Sequence, residues 1–562
     1  MSRSFPNGLA PGTSASAHVS SSELGDASER PPQAPRVRCG PRGLLSAAFL
    51  AWVSGCGPDE APRTVLLVSL DTTRSDALTF EDPFVTPRMV ELAERGLVFD
   101  QAISGSSWTL PAHAQMFTGQ PPVLHGVEDD NVRIDPATPT LPELLAEAGF
   151  LGYGVFTGWY LLRDYGFGRG FEVYSNGMPG GNRLEAELRN RLARDDAGGA
   201  QDVWGAADQQ SHRAITSPGV VQFVGQALDD AGKDDLFLFT HLFDPHYDYV
   251  PPAPYDSRFD PDYDGSITGE DFYLNPAVFD AEAGGRQISD RDLEHIIALY
   301  MGEVAWTDEH VGQIVDLLRV EKRLENAWIV ITADHGEEFF EHGGRGHRHT
   351  LFDEQVRVPL LVVPPKDAYP EAPRRSSAQV GLSDLLPTLC EAVGLPIPDT
   401  AVGRSLLPAL RGEELPSVPQ VSSLRGRPIV SASGGATKHI MVDALRTPTE
   451  KLVRRVSWKA GESKLLEALW YDLASDPYEE TPVRDPKDPR LIAAWERLEA
   501  ERGALRSLFE ARPLTPIELR TTRAREMMAE NLAALGYVAE GEELTDDLPS
   551  WGLGPAPPID LP

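Results

Sequence analysis

Cysteine is scarce in this sequence, which has only Cys39, Cys56 and Cys390 among 562 residues. Three cysteines are too few for the disulfide framework that stabilises small extracellular domains. A chain of this length, with 41% hydrophobic residues, has enough apolar surface to bury a sizeable core without disulfides. We therefore expect a globular protein that is stabilised by packing.

Positive charge is also in short supply. The chain has 51 Lys and Arg residues against 85 Asp and Glu residues, a formal net charge of −34. This excess argues against nucleic acid or an anionic membrane face as a partner. It would also repel an anionic substrate at long range, so a site for such a substrate needs local positive charge.

A long hydrophobic run is missing as well. Residues 43–53 are apolar but fall short of the ~20 residues that a spanning helix needs. Basic residues precede them, and Val53-Ser-Gly-Cys56 follows, which resembles a bacterial lipobox with Cys56 as the lipidated residue. A buried helix with a chance cysteine is the alternative. We predict an exported protein of the cell envelope or periplasm, anchored by lipid to a bacterial membrane, with a disordered leader (1–36), a signal peptide (37–56) and a linker (57–63).

Two apolar segments end abruptly in polar residues. Residues 64–70 lead into Asp71, and residues 327–331 lead through Thr332 and Ala333 into Asp334 and His335. Short β-branched runs of this kind predict buried parallel strands, whose carboxyl ends meet at one edge of a sheet. Carboxylate oxygens with an imidazole nitrogen suit zinc, manganese or a similar divalent ion. The alternative is a hydrogen-bonded Asp-His turn without a metal.

A third segment, residues 104–119, contains Thr109-Leu-Pro111 before the apolar stretch 112–117. Proline is favoured in the first turn of a helix, so we predict a helix that starts close to Thr109 and stops near Gly119. Free N–H groups and the helix dipole at that position would stabilise an alkoxide and a bound anion. Alternatively, Thr109 is only a helix cap.

Together these segments resemble the sulfatase family of the alkaline phosphatase superfamily over about residues 64–540. In that family an Asp ends the first strand, the nucleophile lies in a Cys/Ser-x-Pro-x-Arg signature, and an Asp-His or Asp-Asn pair ends a later strand. Further segments match in the same order, namely 241–246, 303–318, 341–343, 347–360, 469–477 and 535–537.

The resemblance implies an α/β fold like that of alkaline phosphatase. This fold is a sandwich whose central sheet is mixed, mostly parallel and flanked by helices, with a smaller C-terminal antiparallel sheet that carries a helix. The implied regions are a catalytic domain (64–415), a C-terminal subdomain (416–510), and a last helix with a disordered acidic, proline-rich tail (511–562). The implied cofactor is one divalent ion (Ca, Mn, Zn or Mg) bound by Asp71, Thr109, Asp334 and His335.

The nucleophile position departs from the family. Aligning Thr109-Leu-Pro-Ala-His113 with the signature puts threonine where sulfatases carry the cysteine that becomes formylglycine. Threonine resembles instead the nucleophile of phosphodiesterases and phosphoethanolamine transferases of the superfamily. A hydrolase of sulfuric or phosphoric esters is the leading interpretation. A transferase of phosphoryl head groups and an inactive glycan-binding member are the alternatives, and the partner is a sulfated or phosphorylated glycan, lipid or small molecule.

Histidines are concentrated in the matched segments. A sulfate or phosphate ester needs its oxygens neutralised and its leaving oxygen protonated, which imidazoles can do. Surface or capped histidines are the alternative for each one. A second ion held by Asp244 and His246 with His347 or His349 is a further alternative, which would activate a resolving water. The candidate catalytic residues are Thr109, His113, His125, His246, His347 and His349.

Overall fold

The computed structural model describes residues 62–508 with internal gaps, together with residues 515–516. The gaps are 130–131, 179, 185, 187–214, 271, 273–274, 276, 281–284, 430–437 and 460–461. The predicted leader, the signal peptide with Cys56 and the tail from residue 517 therefore lie outside the described residues. Among the helices that the structure describes, none is both long enough and apolar enough to cross a membrane.

Strands and helices alternate through the first part of the chain, and strands dominate later. The strands are β1 (Thr64–Leu70), β2 (Leu97–Ile103), β3 (Val132–Arg133), β4 (Leu151–Phe156), β5 (Val173–Asn176), β6 (Leu236–Leu242), β7 (Phe279–Asp280), β8 (Gly285–Arg286), β9 (Ala327–Ala333), β10 (Glu338–Phe339), β11 (Arg345–Gly346), β12 (Arg357–Val358), β13 (Leu360–Val363), β14 (Arg375–Gly381), β15 (Gln420–Ile429), β16 (Lys438–Arg446), β17 (Glu450–Lys459), β18 (Glu462–Asp472) and β19 (Thr515–Pro516). The helices are α1 (Pro87–Ala93), α2 (Thr109–Thr118), α3 (Pro122–His125), α4 (Leu141–Glu147), α5 (Ser217–Ala231), α6 (Asp290–Val320), α7 (Asp353–Val356), α8 (Leu385–Val393), α9 (Leu407–Leu410) and α10 (Pro489–Leu508).

The large sheet is mixed but mostly parallel, in the order β12-β2-β13-β9-β1-β6-β4-β5, with β14 also paired to β2. Strand β1 lies between β9 and β6 and runs parallel to both. All residues of these three strands are buried, as expected for β-branched and apolar strands that are covered on both faces. Helices pack against the sheet, so the predicted fold class is confirmed.

The C-terminal sheet is antiparallel, in the order β15-β16-β17-β18. Helix α10 packs on it through an apolar cluster that includes Leu452, Trp470 and Trp495. Strand β15 also contacts the loop that precedes α2, since Ser423 N donates to Gly105 O at 2.8 Å. This smaller sheet therefore supports the segment that leads to Thr109.

Buried charges join the C-terminal sheet to the larger sheet. Asp353, at the start of α7, accepts from Arg446 Nη2 at 2.7 Å and from Lys451 Nζ at 2.9 Å. Glu479 accepts from Lys451 Nζ at 3.1 Å and from Asp353 N at 2.6 Å. We call these four residues the seam cluster, and each of its charged groups has a partner of opposite sign.

The last helix predicted within residues 511–562 lies outside the described residues, of which this region contains only 515–516. Residues 515–516 form β19, which pairs with β3. Residues 517–539 lie outside the described part of the chain.

Candidate active site

The ends of β1 and β9 bring the predicted ligands together. The two strands are parallel with Leu70 opposite Ala333, so Asp71, Asp334 and His335 leave the sheet side by side. Nε2 of His335 lies 3.5 Å from Asp71 Oδ1 and 3.4 Å from Asp334 Oδ2. All three side chains are completely buried, and their ligand atoms lie within 4.8 Å of one another.

Glycine at position 336 allows the chain to turn away tightly after these ligands. A Cβ atom on Gly336 would lie 2.1 Å from the carbonyl oxygen of Glu354. The Gly336 N–H instead donates to Gln355 O at 2.9 Å, which fixes the Asp-His turn against the segment before β12. The Asp-His turn contains a hydrogen bond of its own, because Asp334 Oδ1 accepts from His335 N at 2.9 Å.

Thr109 is the first residue of α2, and Trp108 occupies the cap position. The Thr109 hydroxyl lies 3.4 Å from His335 Nε2. Thr109 is 7% exposed, whereas Asp71, Asp334 and His335 are fully buried. The first turn of α2, where N–H groups lack intrahelical acceptors and can bind an anion, therefore carries the Thr109 hydroxyl beside His335.

The acidic pair has the character of a cation site. Within the described ranges, neither oxygen of Asp71 nor Oδ2 of Asp334 has a hydrogen-bond partner. Burial raises the pKa of Asp71 to about 7, an effect that His335 partly offsets, and burial together with Asp71 raises the pKa of Asp334. Unmatched buried oxygens beside an imidazole and a hydroxyl fit a divalent ion with mixed oxygen and nitrogen ligands.

Three imidazoles form a row beside Thr109. The ring centroid of His347 lies 4.5 Å from that of His335 and 4.9 Å from that of His246. Glu337 orients His347, because Oε1 lies 3.0 Å from His347 Nδ1 while Oε2 accepts from Tyr249 OH at 2.9 Å. Sequence reasoning missed Glu337, although its place in Asp-His-Gly-Glu puts it two residues after a predicted ligand.

The other predicted histidines lie away from that row. His125 is held by Val127 N at 2.9 Å and by Pro111 O at 3.2 Å, so it braces the start of α2. His349 pairs with Glu338 Oε2 at 2.7 Å. His113 lies on α2 itself and is fully buried, with Nδ1 2.9 Å from Thr109 O and 3.6 Å from Asp334 Oδ2.

Comparison with known proteins shows to which family the chain belongs. The family model described as Sulfatase matches residues 63–395, which is more than half of the sequence. The chain belongs to the sulfatase family. This membership confirms the predicted family.

Individual relatives of the family are distant. An uncharacterized sulfatase, YidJ, of Escherichia coli is 26% identical over 58% of this chain and 66% of its own length, just under two thirds. The multifunctional alkaline phosphatase superfamily protein PehA of Trinickia caryophylli is 26% identical over 62% of this chain and 77% of its own length. The phosphonate monoester hydrolase of Agrobacterium radiobacter superposes with a TM-score of 0.58 at 22% identity, covering 79% of this chain and 95% of that one. At 22% identity, the similarity to the phosphonate monoester hydrolase shows a shared fold.

The alternative second ion that includes Asp244 does not fit this structure. Asp244 Oδ1 accepts from Thr216 N at 2.7 Å and from Thr216 Oγ1 at 2.6 Å. Oδ2 accepts from Ser217 N and from Trp306 Nε1, each at 3.0 Å. The carboxylate therefore caps the start of α5, a role that depends on a residue 28 positions earlier and is invisible in the local sequence.

A guanidinium group lies against Trp108, the residue before Thr109, although this chain has His113 where the family signature has Arg. Arg348 lies over the ring of Trp108, with 3.7 Å from Cζ to the ring centroid, and donates to Tyr160 OH at 2.9 Å. Its backbone has a φ of 65° and donates to Ser107 O. Sequence reasoning did not single out Arg348, because nothing in the sequence shows that Trp108 is its neighbour.

Proposed function

We propose that this chain is a metal-dependent hydrolase of sulfuric or phosphoric esters that uses Thr109 as its nucleophile. The observation that supports this most directly is the Thr109 hydroxyl, which sits at the N-terminus of α2 and 3.4 Å from His335 Nε2. A bound divalent ion, held by Asp71, Asp334, His335 and Thr109, would supply positive charge that lowers the pKa of the threonine hydroxyl and attracts the ester.

The side chains divide the remaining work. Thr109 Oγ1 attacks the sulfur or phosphorus atom, and the bond from that atom to the leaving oxygen breaks. The free N–H groups at the start of α2 stabilise the non-bridging oxygens. His246 or His347 gives a proton to the leaving oxygen, because the ring of His347 lies 4.5 Å from that of His335, which contacts Thr109, and 4.9 Å from that of His246.

The fate of the covalent intermediate distinguishes Thr109 from formylglycine. A formylglycine hydrate has a second hydroxyl, whose collapse expels sulfate. A threonine ester lacks that route, so a water molecule must displace the sulfuryl or phosphoryl group. We propose that phosphoryl esters are better substrates than sulfate esters, since the superfamily members that the threonine resembles act on phosphoryl groups.

A panel of aryl sulfate, phosphate monoester and phosphodiester substrates tests this proposal. Intact mass spectrometry after short incubation should show a phospho adduct that peptide mapping places on Thr109. A sulfo adduct on Thr109 would reverse the substrate preference but keep the nucleophile. Turnover of all three substrates with no adduct, and with unchanged activity of Thr109→Ala, would refute the proposed nucleophile.

Transfer to an acceptor hydroxyl is the second candidate function. It is favoured by the threonine ester, which a hydroxyl can displace as readily as water, and by the lipobox-like segment at Cys56. Hydrolysis and transfer differ in whether added glycerol or glycan acceptors capture the phosphoryl group. Product analysis by mass spectrometry, with and without such acceptors, separates the two activities.

We propose that the ion is bound by the three strand-end residues. His335→Ala should lower both the metal content and the activity, because it removes the only nitrogen ligand of the set. His310→Gln is a matched control, since His310 is also buried but bonds to Trp306 O on α6. A His335→Ala variant with full metal content and full turnover would make these residues structural.

We also propose that the mature protein is anchored to a bacterial membrane through Cys56. Wild-type protein should partition into detergent and incorporate labelled fatty acid, whereas Cys56→Ser should not. Wild-type protein that remains in the aqueous phase without label would exclude the anchor.

A further inference from the structure

His241 lies in β6, next to the strand that ends at Asp71. Parallel pairing of β1 with β6 puts His241 opposite Ser69, and Asp71 N donates to Leu242 O at 2.9 Å. The imidazole is fully buried, and its Nε2 atom lies 3.3 Å from Asp71 Oδ2. The hydrogen-bonded ladder between these two strands therefore holds the imidazole next to the carboxylate.

The hydrogen bonds of His241 assign a hydrogen to its Nε2 atom. Thr157 N–H donates to His241 Nδ1 at 3.4 Å, so Nδ1 must present its lone pair. Thr157 Oγ1 lies 3.2 Å from the same Nδ1 atom and 2.8 Å from His241 O, and its hydroxyl can donate to either acceptor. An imidazole whose Nδ1 accepts carries its hydrogen on Nε2. The atom that faces Asp71 Oδ2 is therefore a donor, and this nitrogen cannot bind a cation.

The two carboxylates of the acidic pair have parallel arrangements. Asp334 Oδ1 accepts from His335 N at 2.9 Å, while Oδ2 is unmatched in the described structure and lies 3.4 Å from His335 Nε2. Asp71 Oδ1 likewise lies 3.5 Å from His335 Nε2, while Oδ2 faces His241. Two atoms that each lie about 2 Å from one zinc ion are ~3.3 Å apart in tetrahedral geometry. One oxygen of each carboxylate therefore has the spacing of a co-ligand of His335, and the other oxygen faces an N–H group.

We propose that His241 is a positioning residue for the metal site, whose Nε2–H donates to Asp71 Oδ2 and leaves Oδ1 to bind the ion. This inference rests on the proposed function, because it assumes an ion bound by Asp71, Asp334 and His335. At 3.3 Å the donor and the acceptor are slightly farther apart than in an ordinary N–H···O bond, so a small rotation of the carboxylate completes the contact. The bond holds Asp71 as a ligand through one oxygen and satisfies the other, which would otherwise stay buried without a partner.

Packing around His241 suggests the competing explanation that the ring only fills the core. Its centroid lies 5.0 Å from that of His113, with the ring planes at 78°, and 6.5 Å from that of Phe243. A ring that serves only as filler can be replaced by an apolar side chain of similar size without changing the affinity for metal. A positioning residue needs its N–H group, so the two explanations predict different zinc affinities.

The test compares two substitutions of His241 that differ in whether they keep a donor. Gln can place an amide N–H near the position of Nε2–H, whereas Leu fills similar space without a donor. The full chain is stripped of metal with a chelator and titrated with zinc in competition with a chromophoric chelator. His241→Leu should weaken zinc binding roughly 10- to 100-fold, and His241→Gln should bind zinc within about threefold of wild type.

A control and a structure complete the test. His310→Leu is the matched control, because His310 is also buried but contacts Trp306 O, and this variant should bind zinc as wild type does. Crystals of the zinc-loaded wild type should show Asp71 bound to the ion through Oδ1 alone. In the same crystals Asp71 Oδ2 should lie within about 3.2 Å of His241 Nε2.

The outcomes separate this inference from the proposed function. Wild-type affinity in His241→Leu, or equal losses in His241→Leu and His241→Gln, would overturn the positioning role and leave the proposed function intact. An ion bound through both oxygens of Asp71 would overturn it as well. A wild-type chain that binds no zinc at His335 would refute the metal site and, with it, both proposals. If His241→Leu does not fold, the zinc-loaded wild-type structure decides, because it shows which oxygen of Asp71 binds the ion.

Discussion

The molecule contains two buried groups of charged side chains that differ in how their charges are matched. At the edge of the large sheet, Asp71 and Asp334 lie side by side with unmatched oxygens in the described structure. In the seam cluster, Asp353 and Glu479 are instead paired with Arg446 and Lys451. Both groups are removed from water, but only the second is neutralised by the chain itself.

This difference in charge matching distinguishes a ligand-binding site from a charge cluster that only stabilises the fold. Burying a charge without a partner carries a large desolvation cost, whereas a hydrogen-bonded pair recovers much of that cost. The seam cluster therefore holds two sheets together at little net cost. The acidic pair instead lowers the stability of the chain when no cation is bound, which is the pattern expected of a binding site.

The largest expected effect is on catalysis. Thr109→Ala should reduce turnover of the best ester on the order of 10³-fold or more, because the attacking atom is removed from a concerted unit. Thr109→Ser should retain part of the activity, since the hydroxyl survives. Steady-state kinetics measures both, and a Thr109→Ala enzyme with near wild-type turnover would make the residue a simple helix-end threonine.

The second effect concerns the seam cluster. Asp353→Asn should lower the free energy of unfolding by about 3 kcal/mol, because it leaves Arg446 and Lys451 buried without their shared partner. Urea unfolding at neutral pH measures this loss. Asp316→Asn is the control, since its pair with Arg88 is more exposed and should be worth less than about 1 kcal/mol.

The same cluster predicts a pH dependence. Although burial opposes the effect, Arg446 and Lys451 hold the pKa of Asp353 well below its ordinary value. A carboxyl group whose folded pKa is depressed stabilises the fold above its unfolded pKa, and this contribution is lost as the pH falls toward the folded value. Below about pH 4 the stability of wild type should therefore approach that of Asp353→Asn, and a gap that stays constant would contradict the pairing.

The third effect should have the opposite sign. In the presence of a chelator, Asp71→Asn should raise the free energy of unfolding by about 1 kcal/mol, because an amide replaces a buried carboxylate and can donate to Asp334. The variant should also lose metal uptake. If the chelated variant is less stable than the chelated wild type, the acidic pair is matched as well as the seam cluster, and the contrast fails.

The smallest effect tests whether the C-terminal sheet positions Thr109. Ser422 Oγ on β15 donates to Ser104 O at 2.8 Å, in the loop before α2. Ser422→Ala should cost about 1 kcal/mol of stability and lower kcat by less than about tenfold, with KM nearly unchanged. Ser457→Ala is the control, because its longer contact to Lys464 O lies within the C-terminal sheet. If Ser422→Ala and Ser457→Ala lower kcat equally, the hydrogen bond of Ser422 has no specific role in positioning Thr109.

Much of the acidic edge was predictable from local patterns. Apolar β-branched runs before Asp71 and Asp334 identify buried parallel strands, and parallel strands place their carboxyl ends together. Thr109 before Pro111 likewise predicts the start of a helix. Glu337 escaped this reasoning because its contact with Tyr249 spans 88 residues, and no local pattern connects the two.

Asp244 is the opposite case, a residue to which the sequence pattern assigned a metal-binding role that its hydrogen bonds do not support. Its place between Phe243 and Pro245, near His246, suggested a metal ligand, yet its oxygens accept from Thr216, Ser217 and Trp306. The competing donors come from α5 and α6, which no short-range pattern connects to this loop. The role of a polar side chain therefore depends on which hydrogen-bond donors the tertiary structure places beside it.

The sequence by itself determined the sheet, the helix at Thr109 and the set Asp71, Asp334 and His335, because hydrophobic periodicity and helix-start signals act over a few neighbouring residues. Only the tertiary structure decided which buried charges are matched. Asp353 meets Arg446 across 93 residues and is neutralised, whereas Asp71 meets Asp334 and His335 across β1 and β9 and is not. Electrostatic matching depends on distances in space, and distances of a few ångströms between remote residues are set by packing alone.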